Sequence, residues 1–135
     1  EALRDHHMTG GNSLLKTARY SHLETDIRLA VDQLRNGRNR ADAIFFATNS
    51  LAIAGLKYIN GLGIRIPEEL AVIAFDEGEA FDLFYSPVTF VQQPILEMGK
   101  AAVRVLLDQM GNDEKEIKHI CIDTTLVIRK SCGSR

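Results

Sequence analysis

Between residues 41 and 63 the chain runs from a short apolar stretch through a polar pair into an amphipathic segment closed by glycine. In ADAIFFAT (residues 41–48) Ile44, Phe45 and Phe46 stand together. That run is too short for a helix and apolar on both faces, which predicts a buried parallel strand. Asn49 and Ser50 follow, residue types whose side chains cap helix starts. Ala52, Ile53, Leu56, Ile59 and Leu62 then recur at helical spacing, with Gly61 and Gly63 as the stop. Strand, cap and helix in that order make half of a βαβ unit.

The alternation continues downstream. Pro67-Glu68-Glu69 precedes a second apolar run, LAVIAFD (residues 70–76), and GEAFDLFY forms a short aromatic-rich connection. VTFVQQP (residues 88–94) reads as a third strand closed by Pro94. Ile95, Met98, Ala102, Val103, Leu106, Leu107 and Met110 predict a helix over 95–110, stopped at Gly111-Asn112. Ile120, Ile122, Thr124, Leu126 and Ile128 alternate as a final strand over 120–128. Upstream, Leu23, Ile27, Ala30, Val31 and Leu34 predict a helix over 24–36, ending at Asn36-Gly37. The expected fold class is α/β, with a mostly parallel sheet, strands near 43–48, 70–75 and 120–128, and helices on both faces.

Composition narrows the function. With 135 residues, 45% hydrophobic and 25% charged, the chain has enough apolar material for one core without staples. A net charge of −2 gives no basic field for nucleic acid or an anionic membrane. The apolar runs fall far short of the roughly 18 residues of a membrane span. Cys121 and Cys132 lie eleven apart with no histidine at ligand spacing, so two reduced thiols in a cytoplasmic protein are expected, with no metal and no cofactor. The opening EALRDHHM reads as the back end of a helix. Its adjacent His6 and His7 point about 100° apart there, and a metal pair needs one face.

In open parallel sheets ligands bind beyond the carboxyl ends of the strands. Thr48, Asn49 and Asp76 stand at two such ends, and their hydrogen-bonding groups suit a hydroxyl-rich small molecule. The alternative is that Asn49 or Ser50 only caps a helix and Asp76 only begins a turn. Gly61-Leu62-Gly63 reads as a helix end rather than a phosphate loop, and no nucleophile elbow or zinc-protease motif occurs, so no enzyme is expected. Phe81, Leu83, Phe84 and Tyr85 put four large apolar side chains into five residues. They either anchor an interface or roof their own sheet.

Residues 41–107 and the closing LVIRKSC resemble the carboxyl-terminal half of the effector-binding core of lac-repressor/galactose-repressor (LacI/GalR) family regulators. The elements occur in order: a strand ending in a polar pair, a helix, G-I-x-I-P-E-E-L-A-V-I-A-F-D, S-P-V-T-F-V-Q-Q-P, an E-M-G-x-x-A-V helix and L-V-I-R-K-S. Residues 1–40 fit the preceding elements more loosely. The resemblance implies a periplasmic-binding-protein-like lobe made of residues 1–90 and 119–135, with 91–118 crossing to complete an amino-terminal lobe. The DNA-binding head, the hinge helix and most of the first lobe have no counterpart among these residues.

Function follows as what this resemblance implies: the effector-sensing and dimerisation part of a bacterial, cytoplasmic transcriptional regulator. A sugar or sugar derivative would control operator affinity, operator DNA being contacted only through the amino-terminal domain. Asp76 takes the place of the family's effector-binding aspartate. Thr48-Asn49 replaces the usual Asn-Asp pair, keeping hydrogen bonds and losing a negative charge. The aromatic segment, with Ile53 on the helix after Asn49, takes the place of the homodimer contact. The alternative is a periplasmic sugar-binding protein of an ABC transporter, which shares the two-lobed fold.

Overall fold

The computed structural model describes residue 5 and residues 14–36, 40–110 and 117–133. The expected helix edge before Gly10, the His6–His7 pair, and the breaks at Gly37 and Gly111-Asn112 lie outside these residues.

A 3-10 turn over Tyr20–His22 leads into helix α1 (Leu23–Asn36), then strand β1 (Ala43–Phe46) and helix α2 (Asn49–Gly61). Strand β2 (Ala71–Phe75), a 3-10 turn over Glu79–Asp82, strand β3 (Thr89–Gln92), helix α3 (Ile95–Met110) and strand β4 (Thr125–Val127) complete the order. The sheet runs β1-β2-β3-β4. β1 with β2, and β2 with β3, are parallel, whereas β4 pairs antiparallel with β3, placing Phe90 opposite Val127. The periodicity therefore located α1, α2 and α3 to within two residues at each end. It overextended the last strand, because only 125–127 find a ladder partner and residues 117–124 carry no strand pairing.

The register explains the core. Ile44 aligns with Val72, Phe46 with Ala74, and Ala74 with Phe90, so these side chains share one face of the sheet. All five are buried, and they join Ile27 and Val31 of α1 with Ala52, Leu56 and Ile59 of α2 in one cluster. α1 and α2 pack on each other, and α2 meets β1 and β2. Close approach of α2 is set by Gly55, where a Cβ would fall inside van der Waals distance of the Phe46 ring.

The opposite face is the more open one among the described residues. Phe45, expected to be buried, is 58% exposed, while Ile73, Phe75 and Val91 are half-buried. Period-2 geometry forces this result: with Ile44 and Phe46 turned to the core, Phe45 turns away. α3 has a clear apolar stripe and not one buried residue; Ile95, Leu96, Met98, Val103, Leu106, Leu107 and Met110 are all exposed.

Helix ends follow their local chemistry. Thr48, extended at φ −149° and ψ 156°, accepts a hydrogen bond from the Leu51 N–H at 3.3 Å. At the other end of α2 the Leu62 N–H donates to the carbonyls of Tyr58 and Ile59, and Gly63 takes φ +71°, which favours glycine.

Candidate functional site

The carboxyl ends of β1, β2 and β3 bring together residues that are far apart in the chain. Asp76 follows β2 directly and is the one non-glycine residue with positive φ among those described, at 73°. Aspartate tolerates this left-handed conformation better than most residues, yet it is sparsely populated outside glycine. Strain of this kind concentrates where a side chain must be aimed. The Asp76 N–H donates to the Val91 carbonyl at 3.0 Å, which fixes its backbone against β3.

Asn49 opens α2 beside this turn. Its Nδ2 donates to the Glu77 carbonyl at 3.0 Å, whereas its Oδ1 is buried and has no hydrogen-bond partner. Gly78 packs tightly here, since a Cβ on it would lie 3.0 Å from the Phe81 ring and 3.1 Å from Asn49 Oδ1. Thr48 is exposed, and its hydroxyl is engaged in the cap of α2. The structure thus brings Asn49 to Asp76-Glu77 and gives Thr48 a structural task.

Two residues that the sequence reading did not single out belong to the same cluster. Gln93 Nε2 donates to Asp76 Oδ1, and Gln92 Nε2 donates to Glu77 Oε2 at 3.1 Å. Both glutamines stand at the carboxyl end of β3, where the strand-end rule would have pointed had it been applied to the third strand as well. The set combines carboxylate acceptors with amides that donate and accept, which matches a ligand carrying several hydroxyls. Among the described residues no group of three His, Cys, Asp or Glu could hold a metal ion.

The aromatic segment divides in two. Phe81, expected at a subunit contact, is instead fully buried, its ring 5.9 Å from that of Phe90 and tilted by 51°. It roofs its own sheet. Leu83 and Tyr85 are 85% and 99% exposed, Phe84 is half-buried against the core, and Ile53 is half-buried on α2. Arg129 spans the segment from the other side: its guanidinium pairs with Asp82 and stacks 5.0 Å from the Phe90 ring centroid. Neither Cys121 nor Cys132 is in a disulfide, and Cys132 Sγ donates to the Arg129 carbonyl at 3.7 Å.

Residues 1–132 match the family model of the periplasmic binding protein-like domain. The chain is 35% identical over 92 residues to the HTH-type transcriptional repressor MelR of Bacillus subtilis, covering 68% of this chain and 26% of that protein. It is 28% identical over 106 residues to the ribose operon repressor of Haemophilus influenzae, covering 78% and 32%. Among solved structures, a complex of the transcriptional regulator CelR with cellobiose is similar with TM-score 0.79 and 26% identity, over 96% of this chain and 39% of that one. The chain spans about a quarter to a third of the length of the curated relatives it matches.

Proposed function

The chain belongs to the periplasmic binding protein-like domain family, in the branch of LacI-type regulators, and from that membership we propose that it is the effector-sensing and dimerisation part of a DNA-binding transcriptional regulator. In this reading residues 1–90 and 119–135 form one lobe, and 91–118 cross to complete a second. The unburied stripe of α3 supports the crossing, because a helix with seven exposed large apolar residues is built to be covered. The effector is a sugar or sugar derivative held by Asp76 and Asn49, with Gln92, Gln93 and Glu77 around them; Thr48 contributes through the cap that positions Asn49. Operator DNA is contacted by an amino-terminal domain outside residues 1–135, and the regulator works in the cytoplasm as a homodimer through Leu83, Phe84, Tyr85 and Ile53. The relatives are repressors, and the reading assigns no catalysis to this chain.

The observation that carries the effector site is the convergence on Asp76: a carboxylate held in a left-handed backbone at a strand end, with the buried and unpartnered Oδ1 of Asn49 beside the same turn. The alternative, a transport protein with the same two lobes, is disfavoured by relatives that are repressors. Calorimetry with a panel of mono- and disaccharides on the two-lobed protein tests the reading. One sugar class is expected to bind, and Asp76→Ala to weaken it by about ten- to a hundredfold, as loss of a charged hydrogen bond implies. Sugar binding that survives Asp76→Ala unchanged would remove the site.

A further inference from the structure

A cavity lies at the opposite end of the sheet from the Asp76 cluster. It is bounded by the end of α2, the loop that enters β2 and the segment that enters β3, and it encloses about 340 Å³. Its wall is apolar where Leu56, Ile66, Phe84 and Tyr85 contribute, and Ser86 completes it. Ser86 is 8% exposed, and its hydroxyl, out of reach of solvent, has no hydrogen-bond partner. A buried hydroxyl left unsatisfied is unfavourable, and native structures explain such groups by strain or by an unseen partner. Arg65 at this cavity is paired with Glu69 through its Nε at 3.2 Å, and Glu68 borders the cavity as well, so the surroundings disfavour an anionic ligand.

We propose that this cavity is a second small-ligand site, separate from the Asp76 cluster, which takes a neutral monocyclic aromatic alcohol. Its volume sits at the low end of ligand pockets, roughly 300–1,000 Å³, which fits one ring better than an oligosaccharide. The ring packs against Phe84 and Tyr85 in tilted or offset contact. The ligand's hydroxyl pairs with Ser86 Oγ after rotation about the serine χ1, a low barrier for a side chain of this size. The site does not depend on the sugar reading, because it shares no residue with the Asp76 cluster; it does share Phe84 and Tyr85 with the proposed subunit contact, so it is also read in a variant that weakens that contact.

The probe is phenol, with toluene as the hydroxyl-free control, titrated into the 135-residue chain and followed by amide chemical shifts. Phenol is expected to shift Leu56, Ile66 and Ser86 saturably while leaving Asn49, Asp76 and Glu77 in place. Ser86→Ala is expected to weaken phenol about tenfold and to leave toluene within twofold. Ile66→Trp, which fills the cavity from its wall, is expected to abolish both. The titration is repeated on Leu83→Asp, whose side chain lies outside the cavity, so that binding is read separately from any self-association at the neighbouring segment. Shifts confined to the Asp76 end, no saturation by 10 mM phenol (about the weakest affinity a fragment site is asked to show), or a Ser86→Ala variant that binds phenol as tightly as the parent would each overturn the proposal.

Discussion

Ser131 Oγ accepts the Thr89 N–H at 2.8 Å and, through its own proton, donates to the Val72 carbonyl at 2.6 Å, so one hydroxyl joins β3 to β2 across a gap in their ladder. The β2–β3 pairing begins only at Ile73 and Thr89, and Ser131 occupies the position just before it. The Val72 N–H returns a bond to the Ser131 carbonyl at 2.8 Å, and Thr89 Oγ1 accepts from the N–H of Arg129, two residues before Ser131, at 2.9 Å. Ser131 and Thr89 are essentially fully buried.

Ser131→Ala leaves the Thr89 N–H and the Val72 carbonyl buried without this partner. Each orphaned group costs about 1–3 kcal/mol, so a loss of about 2–6 kcal/mol is expected in urea unfolding. A loss below about 0.5 kcal/mol, the range of an ordinary surface change, would show that the hydroxyl is dispensable.

Gly55→Ala sets two effects against each other. Alanine is about 1 kcal/mol better than glycine inside a helix. Here the added methyl meets the Phe46 ring, which is 5% exposed and held within the core. Overpacking of that kind costs about 1–3 kcal/mol, so net destabilisation is expected. Combining Gly55→Ala with Phe46→Leu should recover part of the loss. A double mutant whose stability is the plain sum of the two singles would contradict the contact.

Much of this fold is legible in the sequence because apolar periodicity reports which residues share a face. It does not report what lies opposite that face. Ile120, Ile122, Leu126 and Ile128 alternate as a strand should, yet only Thr125–Val127 pair with β3, while Ile120 and Ile122 border a groove along Met98 of α3. Phe45 and Phe46 are identical in composition terms and opposite in burial. At the site, Asp76 and Asn49 stand out because strand ends are where side chains converge, whereas Gln92 and Gln93 are recognised only once the β2–β3 register is known. The Ser131 staple has no local signature at all, since its partners lie 42 and 59 residues away.

Asp26 gives the chain an acid-sensitive tie. The Arg19 side chain meets both carboxylate oxygens, at 2.9 and 3.1 Å, and the Arg19 backbone N–H adds a third bond at 2.9 Å. These hydrogen bonds lower the Asp26 pKa from 3.8 to about 2. A depressed folded-state pKa means that the contribution to stability is complete above the unfolded value and lost as pH falls from about 3.8 towards 2. Arg19→Ala is therefore expected to be less stable than the parent at pH 6, with the difference shrinking below pH 4 and largely lost as pH falls through about 2. A difference that stays constant between pH 6 and 2 in urea midpoints would mean that the ion pair is not its source.

At the strand ends, Gln93 orients the carboxylate that the sugar reading assigns to the effector. A carboxylate has about four lone-pair sites, so one amide donor leaves room for ligand hydroxyls. Gln93→Ala should therefore weaken effector binding by about three- to tenfold through lost orientation, less than Asp76→Ala. Calorimetry on the two-lobed protein orders the variants. Weaker binding by Gln93→Ala than by Asp76→Ala would make the glutamine, not the aspartate, the principal contact.

The proposed subunit contact is best tested where burial separates surface from core. Phe84 is half-buried against the core cluster, so Phe84→Asp both removes an anchor and strains the fold. Leu83 and Tyr85 are 85% and 99% exposed, so their replacement leaves the core as it is. Adjacent apolar side chains this exposed favour association, and a two-fold contact uses each of them twice. Leu83→Asp is expected to keep the parent's unfolding midpoint and to shift sedimentation towards monomer, because two added carboxylates face each other across the two-fold axis. Phe84→Asp should give the same shift together with a lower midpoint. A parent chain that sediments as monomer at tens of micromolar (roughly the range of a weak interface) would place the regulator's two-fold contact on some other surface.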